Sequence, residues 1–374
     1  MLAGAIALYK GIKGQKETPE ELNAILTTTA RPLKYNSSSV LDSISHQGGG
    51  LLDIYKAVQS SSRVWPYQLL LNDTHNFNGT QRLTIRNVDS AKTQTYTLSH
   101  LPAGTLYALD GSKSKSQYVE SPLVPRASAV DLAKVSFSPS TITLQPGGSG
   151  VVQVRFTAPT IDAAKLGVYS GFVQLKSDAG EVHSLTVPYL GMAVDLSTPK
   201  ALPLLNLFAD EADDNDSAPA TALFDNASFS PLTNDSMVYS LASYDEQPQL
   251  RYTLNLGSPR ADVYLVKANT AYAPTFKQGG SNPTTPSIPN PCASLKASDV
   301  LATLSSNILI DRLDGLLTAK VSANWTDPAT GTVKAVPDGK ARVLLRALRP
   351  QGAQGDDCAW ESYLSHAFTI KKNK

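Results

Sequence analysis

Several kinds of function are excluded by what this sequence lacks. A bilayer-spanning helix needs about 20 apolar residues in a row, and the opening stretch Leu2–Tyr9 is cut off by Lys10. No basic leader precedes that stretch, so it does not read as a secretion signal. Charge of one sign is lacking as well. The chain has 33 Lys and Arg against 32 Asp and Glu, a formal net charge of +1, and its basic residues are scattered rather than clustered. Neither a nucleic-acid partner nor an anionic membrane surface is expected from such a balance. A nucleophile elbow is missing, because Gly147-Gly148-Ser149-Gly150 has no glycine at the fifth position and reads as a turn. His46, His75, His100, His183 and His366 are spread along the chain with no metal-ligand spacing. No catalytic, cofactor-binding or metal-binding residue can therefore be nominated. The acidic run Asp210–Asp216 lacks the glycine and distal glutamate of an EF-hand and reads as a solvated linker, with calcium as the alternative.

Cysteine is scarce too, and the two that exist are informative. Cys292 and Cys358 either close one disulfide across the last domain or stay as buried thiols. Seven Asn-x-Ser/Thr sequons, at Asn36, Asn72, Asn78, Asn215, Asn226, Asn234 and Asn324, exceed the roughly three expected by chance from composition. Most fall in polar, turn-rich stretches. Sequons and cysteines together point to an oxidising, extracellular destination.

With 374 residues, 41% of them hydrophobic, the chain can fill two or three domain cores. Residues 1–60 carry helical spacing. Leu2, Ala5, Ile6 and Tyr9 share one helix face, but Ala3, Gly4 and Ala7 make the other side apolar as well. A helix greasy all round needs enclosing partners. Thr18-Pro19-Glu20-Glu21 is a capping box with proline in the first turn, followed by a buried stripe of Leu22, Ile25 and Leu26 and a stop at Pro32. Gly48-Gly49-Gly50 then leads into a short helix predicted over Leu51–Val58. From about residue 64 the period becomes two. Leu83/Ile85, Tyr96/Leu98, Val152/Val154/Phe156, and a hairpin of Val173/Leu175 with Leu185/Val187 predict a β-sandwich. Residues 197–220 read as a linker. Tyr252/Leu254, Val263/Leu265 and Val343/Leu345/Ala347 predict further strands beyond it, with an extended proline-rich loop over 279–291. Trp65, Trp325 and Trp360, with Tyr67 and Tyr363, are core or hairpin residues or, alternatively, a sugar-binding platform.

Three segments in order carry a family resemblance. Leu2-Ala3-Gly4-Ala5-Ile6-Ala7-Leu8 resembles the helix that follows the Gly-Thr-Ser-Met-Ala-x-Pro nucleophile motif of subtilisin-like serine proteases. Thr18-Pro19-Glu20-Glu21 through Thr29-Ala30 is similar to that family's next helix, and Gln47-Gly48-Gly49-Gly50-Leu51-Leu52-Asp53 with Ala57-Val58 to the segment before its last catalytic-domain helix. Asn87-Val88-Asp89 through His100, and Phe137-Ser138-Pro139 with Pro146-Gly147, resemble the fibronectin type III-like module following many large subtilases. Val336-Pro337-Asp338-Gly339 through Leu348, with Phe368-Thr369-Ile370, resembles the closing strands of a second such module. The arrangement is similar to subtilases (peptidase family S8) of the minor extracellular protease type.

The resemblance implies a mostly β chain: two fibronectin type III-like β-sandwiches (63–197 and 198–374) preceded by a short helical remnant (1–62) of an α/β subtilase catalytic domain. It implies that the nucleophilic Ser, the His and the Asp all lie outside this sequence, so the chain alone is expected to be inactive. The partners implied are the missing amino-terminal catalytic portion and, through it, that enzyme's protein substrates. A stand-alone extracellular adhesion module is the alternative. Burial separates the two readings: a remnant leaves Leu2, Ile6, Leu22 and Ile25 partly uncovered, whereas a self-sufficient domain encloses them.

Overall fold

The computed structural model describes residues 2–14, 16–36, 39–110, 117–118, 124–196, 205–206, 221–228, 230–254, 257–277, 292–310 and 316–372. The chain is mostly β and divides into two compact units, Met1–Asp195 and Leu196–Lys374. The acidic run at 210–216, most of the 197–220 connection and the proline-rich loop lie outside the described residues, apart from a short strand at Leu205–Asn206.

Unit 1 begins with helices α1 (Leu2–Lys13), α2 (Pro19–Thr29), α3 (Ile44–Gln47) and α4 (Ile54–Gln59). The last starts later than the predicted Leu51, because Asp53 caps it by accepting from the Lys56 N–H at 2.9 Å. The strands are β1 (Ser62–Trp65), β2 (Leu69–Asn72), β3 (Thr80–Asn87), β4 (Gln94–Tyr107), β5 (Leu109–Asp110), β6 (Gln117–Tyr118), β7 (Lys134–Ser138), β8 (Thr141–Leu144), β9 (Ser149–Thr157), β10 (Gly167–Ser177) and β11 (Leu185–Met192). They form a four-stranded sheet, β1-β3-β9-β7, and a five-stranded sheet, β2-β11-β10-β4-β8, with β5 and β6 as a separate ribbon. Leu83, Ile85, Val152, Val154 and Phe156 of the first sheet meet Tyr96, Val173, Leu175, Val187 and Tyr189 of the second in one core. Each fully buried apolar side chain of this size contributes about 1.5–3 kcal/mol.

Strand β10 departs from simple alternation. Phe172 as well as Val173 is fully buried, because the five-stranded sheet is covered on both faces. Its outer face carries the helices: Ser170 Oγ accepts from the Ile44 N–H at 3.2 Å, and Thr186 Oγ1 donates to the Ala30 carbonyl at 3.4 Å. Unit 1 is therefore three layers, two of sheet and one of helix.

Unit 2 contains β12 (Leu205–Asn206), β13 (Ala222–Asp225), β14 (Ser230–Pro231), β15 (Val238–Tyr239), β16 (Gln249–Leu254), β17 (Ser258–Lys267), β18 (Phe276–Lys277), β19 (Val300–Ile310), β20 (Leu317–Lys320), β21 (Asn324–Thr326), β22 (Val333–Ala335), β23 (Gly339–Leu348), β24 (Trp360–Leu364) and β25 (Phe368–Ile370). One sheet is β12-β16-β13-β14 with β20 on β16. A larger one is β15-β25-β23-β17-β19 with β18 and β24 attached. Asn307 on β19 donates to the Tyr252 hydroxyl on β16 at 3.3 Å, tying the two sheets together. A buried ion pair, Arg349 Nη2 to Glu361 Oε2 at 2.8 Å, sits inside this unit, and Cys292 and Cys358 are joined by a disulfide.

Candidate functional site

The helical layer of unit 1 holds the feature that most asks for a partner. Helix α2 is well seated. Thr18 and Glu21 exchange the two capping-box bonds, at 3.2 and 2.8 Å, and the one from the Thr18 N–H to the carboxylate lowers the Glu21 carboxyl pKa. Leu22, Ile25 and Leu26 pack against Tyr9, Ala57 and Val58. Thr28 and Thr29 turn their hydroxyls back onto the carbonyls of Ala24 and Ile25, so the buried face leaves no polar group of theirs unsatisfied. Enclosure of Leu22 and Ile25, at 5% and 4% exposure, corrects the expectation that they stand open: α1, α4 and the outer face of the sheet supply their cover.

Helix α1 is different. Only Tyr9 is buried on it. The Tyr9 hydroxyl donates to Glu17 at 3.2 Å and accepts from Arg63 at 3.4 Å, and burial raises its pKa. Leu2, Leu8 and Ile12 are 58%, 51% and 58% exposed. Between α1 and α2 runs a cleft of about 530 Å³ lined chiefly by Leu2, Ile6, Lys10, Leu22, Leu26 and Leu52. Its floor depends on two glycines. A Cβ on Gly49 would lie 2.8 Å from the Thr27 carbonyl oxygen, and one on Gly50, at φ +110°, would lie 2.3 Å from that of Arg31. Only glycine lets the chain pass there and pair Leu51 with Arg31.

A second polar cluster fastens the end of the helical layer to the sandwich. Gln94, buried, donates to Ser61 Oγ at 2.6 Å and to Asn87 Oδ1 at 3.0 Å, and accepts from the Tyr96 hydroxyl at 2.9 Å. His183 Nδ1 accepts from the Ser61 N–H at 3.1 Å and lies 3.0 Å from Ser61 Oγ. That geometry requires a neutral ring, and burial lowers its pKa accordingly. Burial also drops His100, 2.8 Å from the Tyr189 hydroxyl, to about 4.

The remaining sequence candidates are dispersed. His46 and His366 lie against Asp42 and Asp235 at 2.8 and 3.0 Å, and His75 is exposed. Among the described residues no three His, Cys, Asp or Glu side chains gather as metal ligands. Gly147–Gly148 form the tight turn into β9, with Gly147 at φ +71°. Trp360 and Tyr363 are buried in unit 2 and Trp325 lies in the β21–β22 hairpin. Within unit 2 the tryptophans therefore form no exposed pair, and in unit 1 Trp65 stands exposed beside Tyr67. Asn36, Asn72, Asn78, Asn234 and Asn324 are exposed. Asn226 is 1% exposed and donates to the Tyr244 carbonyl at 2.9 Å, which leaves no room for a glycan on the folded chain. Asn215 is outside the described residues. What sequence reasoning missed is how open α1 stays: of the face shared by Leu2, Ala5, Ile6 and Tyr9, only Tyr9 is buried and Leu2 is 58% exposed.

A family model described as an Fn3-like domain matches residues 69–190, most of the strands of unit 1. The chain thus contains a fibronectin type III-like β-sandwich. No curated protein sequence matches the chain. Among solved structures, a PapD-like domain of human CEP192 is 15% identical, with 36% of this chain and 87% of that one covered and a TM-score of 0.25. The CupB2 chaperone of Pseudomonas aeruginosa is 8% identical, with 81% and 98% covered and a TM-score of 0.22. Superpositions this loose add nothing to the fold assignment.

Proposed function

We propose that this chain is the non-catalytic carboxy-terminal region of a secreted subtilisin-like serine endopeptidase, in which the sandwiches stabilise or modulate a catalytic body carried by other residues. One observation bears most of the weight. Leu2, Leu8 and Ile12 are each more than half exposed on a helix whose neighbouring cleft is also apolar. Exposed apolar residues of this kind, gathered on one helix, support a reading in which further polypeptide packs there. The resemblance of α1, α2 and the Gly48–Gly50 segment to the end of a subtilase catalytic domain names the polypeptide: the rest of that domain. Unit 2, as a second fibronectin type III-like module, belongs to the same proposal, as do the extracellular destination and the glycans.

Peptide-bond hydrolysis through an acyl-enzyme needs an activated serine, a base and an oxyanion hole, and no such set is nominated in this chain. A fluorophosphonate probe and a casein substrate test the point. The expected result is no labelled serine and no cleavage above background; covalent labelling of any serine would overturn the proposal.

The burial of Leu22 and Ile25 favours a second reading, a stand-alone extracellular adhesion module with its own helical layer. Hydrogen exchange separates the two. A self-sufficient module protects the α1 amides as strongly as those of α2, whereas a helix awaiting its cover exchanges much faster.

A further inference from the structure

Basic residues that lie far apart in the sequence converge on one face of unit 1. Strands β1, β3, β9 and β7 contain no Asp or Glu at all. Their pairing sets Arg86, then Trp65 beside Thr84, then Arg82, then Arg155 in successive rows across the solvent side of the sheet, about 7 Å from row to row. Arg82, Arg86, Arg155 and Lys134 are all exposed. Among the described residues none of them has a carboxylate partner, and Arg155 Nε reaches only Gln153 Oε1, at 3.2 Å. Arg63 stands directly opposite Arg86, a like-charge pairing that weakens a sheet. Its guanidinium turns away to the Ser60 and Ser62 carbonyls. Asp89, just beyond β3, is engaged by the N–H groups of Ala91 and Lys92. The face is therefore positive, open and not neutralised from within its own sheet.

We propose that this sheet face binds an anionic polysaccharide, its sulfate or carboxylate groups paired with Arg82, Arg86 and Arg155 and a sugar ring stacked on Trp65. The aromatic is what selects the chemistry. Trp65 is 45% exposed and held edge-on to Tyr67, with ring centres 5.3 Å apart. It lies in the row between two arginines, where the C–H face of a pyranose meets the electron-rich face of the indole while its charged substituents reach the guanidinium groups on either side. A single-stranded nucleic acid on a sheet calls for two or three stacking rings, and here one tryptophan occupies the rows. The chain's net charge of +1 also provides none of the broad field that draws a duplex. This inference is independent of the proposed protease role, since it concerns a face remote in sequence from α1.

The test is solution binding of the full chain, at about 0.15 M salt, to heparin as the sulfated probe and to polygalacturonate as the uronic probe. Inorganic polyphosphate and duplex DNA run alongside. The account expects binding to at least one polysaccharide. It expects a loss of about tenfold or more, arising from several weak surface pairs, in the combined Arg82→Gln, Arg86→Gln, Arg155→Gln variant, with its melting temperature unchanged. Removing the same charge elsewhere, through Lys176→Gln, Lys267→Gln and Lys340→Gln, should leave binding intact. Trp65→Ala should weaken the polysaccharide and spare polyphosphate. No binding by the wild type, an equal loss in the lysine variant, equal losses for sugar and polyphosphate in Trp65→Ala, or tighter binding of duplex DNA would each overturn the proposal.

Discussion

The sandwich of unit 1 and the helical layer laid on it are built from equally apolar residues but end in different states. In the sandwich, Leu83, Ile85, Val152, Val154, Val173 and Leu175 are all fully buried, because each sheet is the other's cover. In the helical layer α2 reaches the same state by lying on the sheet, while α1 packs on α2 and α4 with only Tyr9 fully buried and Ile6 partly so. The difference teaches where this polypeptide is self-sufficient. Two sheets close a core between them, whereas α1 has only α2 and α4 beside it and is left largely uncovered by them.

The largest effect that sharpens this contrast is in the core. Leu83→Ala should lower stability by about 2–5 kcal/mol, the range for a buried leucine with a residual cavity, measured by denaturant unfolding of the sandwich signal. A cost near zero would mean that the two layers do not differ. Acid is the second probe. Burial holds His100 at about 4 in the fold against 6.5 for the free side chain, and it shifts His183 in the same direction. Between these values the unfolded chain binds the proton and the folded chain does not, so stability rises with pH there. It is complete above 6.5 and drains away as the pH falls towards 4, by at most about 3 kcal/mol for His100. A His100→Gln variant should flatten that dependence in a series of thermal melts.

Next in size is Gly50→Ala. A methyl group 2.3 Å from the Arg31 carbonyl oxygen, at φ +110°, should cost roughly 1–3 kcal/mol and fall on the helical layer alone. Limited proteolysis should then cut near residues 30–52 while the sandwich stays intact; equal loosening of both layers would merge them into one cooperative body. The smallest expected effect is Leu8→Ala on α1, within about 0.5 kcal/mol as for a solvent-exposed position. A cost comparable to that of Leu83→Ala would show α1 to be packed after all.

Much of this contrast is legible in the sequence. Strand periods at Leu83/Ile85, Val152/Val154 and Val343/Leu345 were readable because each strand presents one face to a core. The capping box of α2 was readable because its four residues are contiguous. Two things were not. How little of α1 is buried stayed hidden, because the face of Leu2, Ala5, Ile6 and Tyr9 reads as apolar along its whole length while only Tyr9 ends up buried. The basic sheet face stayed hidden because Arg82 and Arg155 are brought together only by the pairing of β3 with β9, so scattered charges in sequence became a patch in space. Cys292 and Cys358 fell between these cases: their number allowed a bond or two thiols, and the fold brings them together.

The claim on which the functional reading stands is that the open surface of α1 belongs inside a larger serine-protease body. Sequencing the native transcript upstream of the Met1 codon tests it most directly. The account predicts an open reading frame that encodes a Gly-Thr-Ser motif within a few residues of Met1 and continues into a catalytic domain. An in-frame stop codon just upstream, with no such motif between, would contradict it.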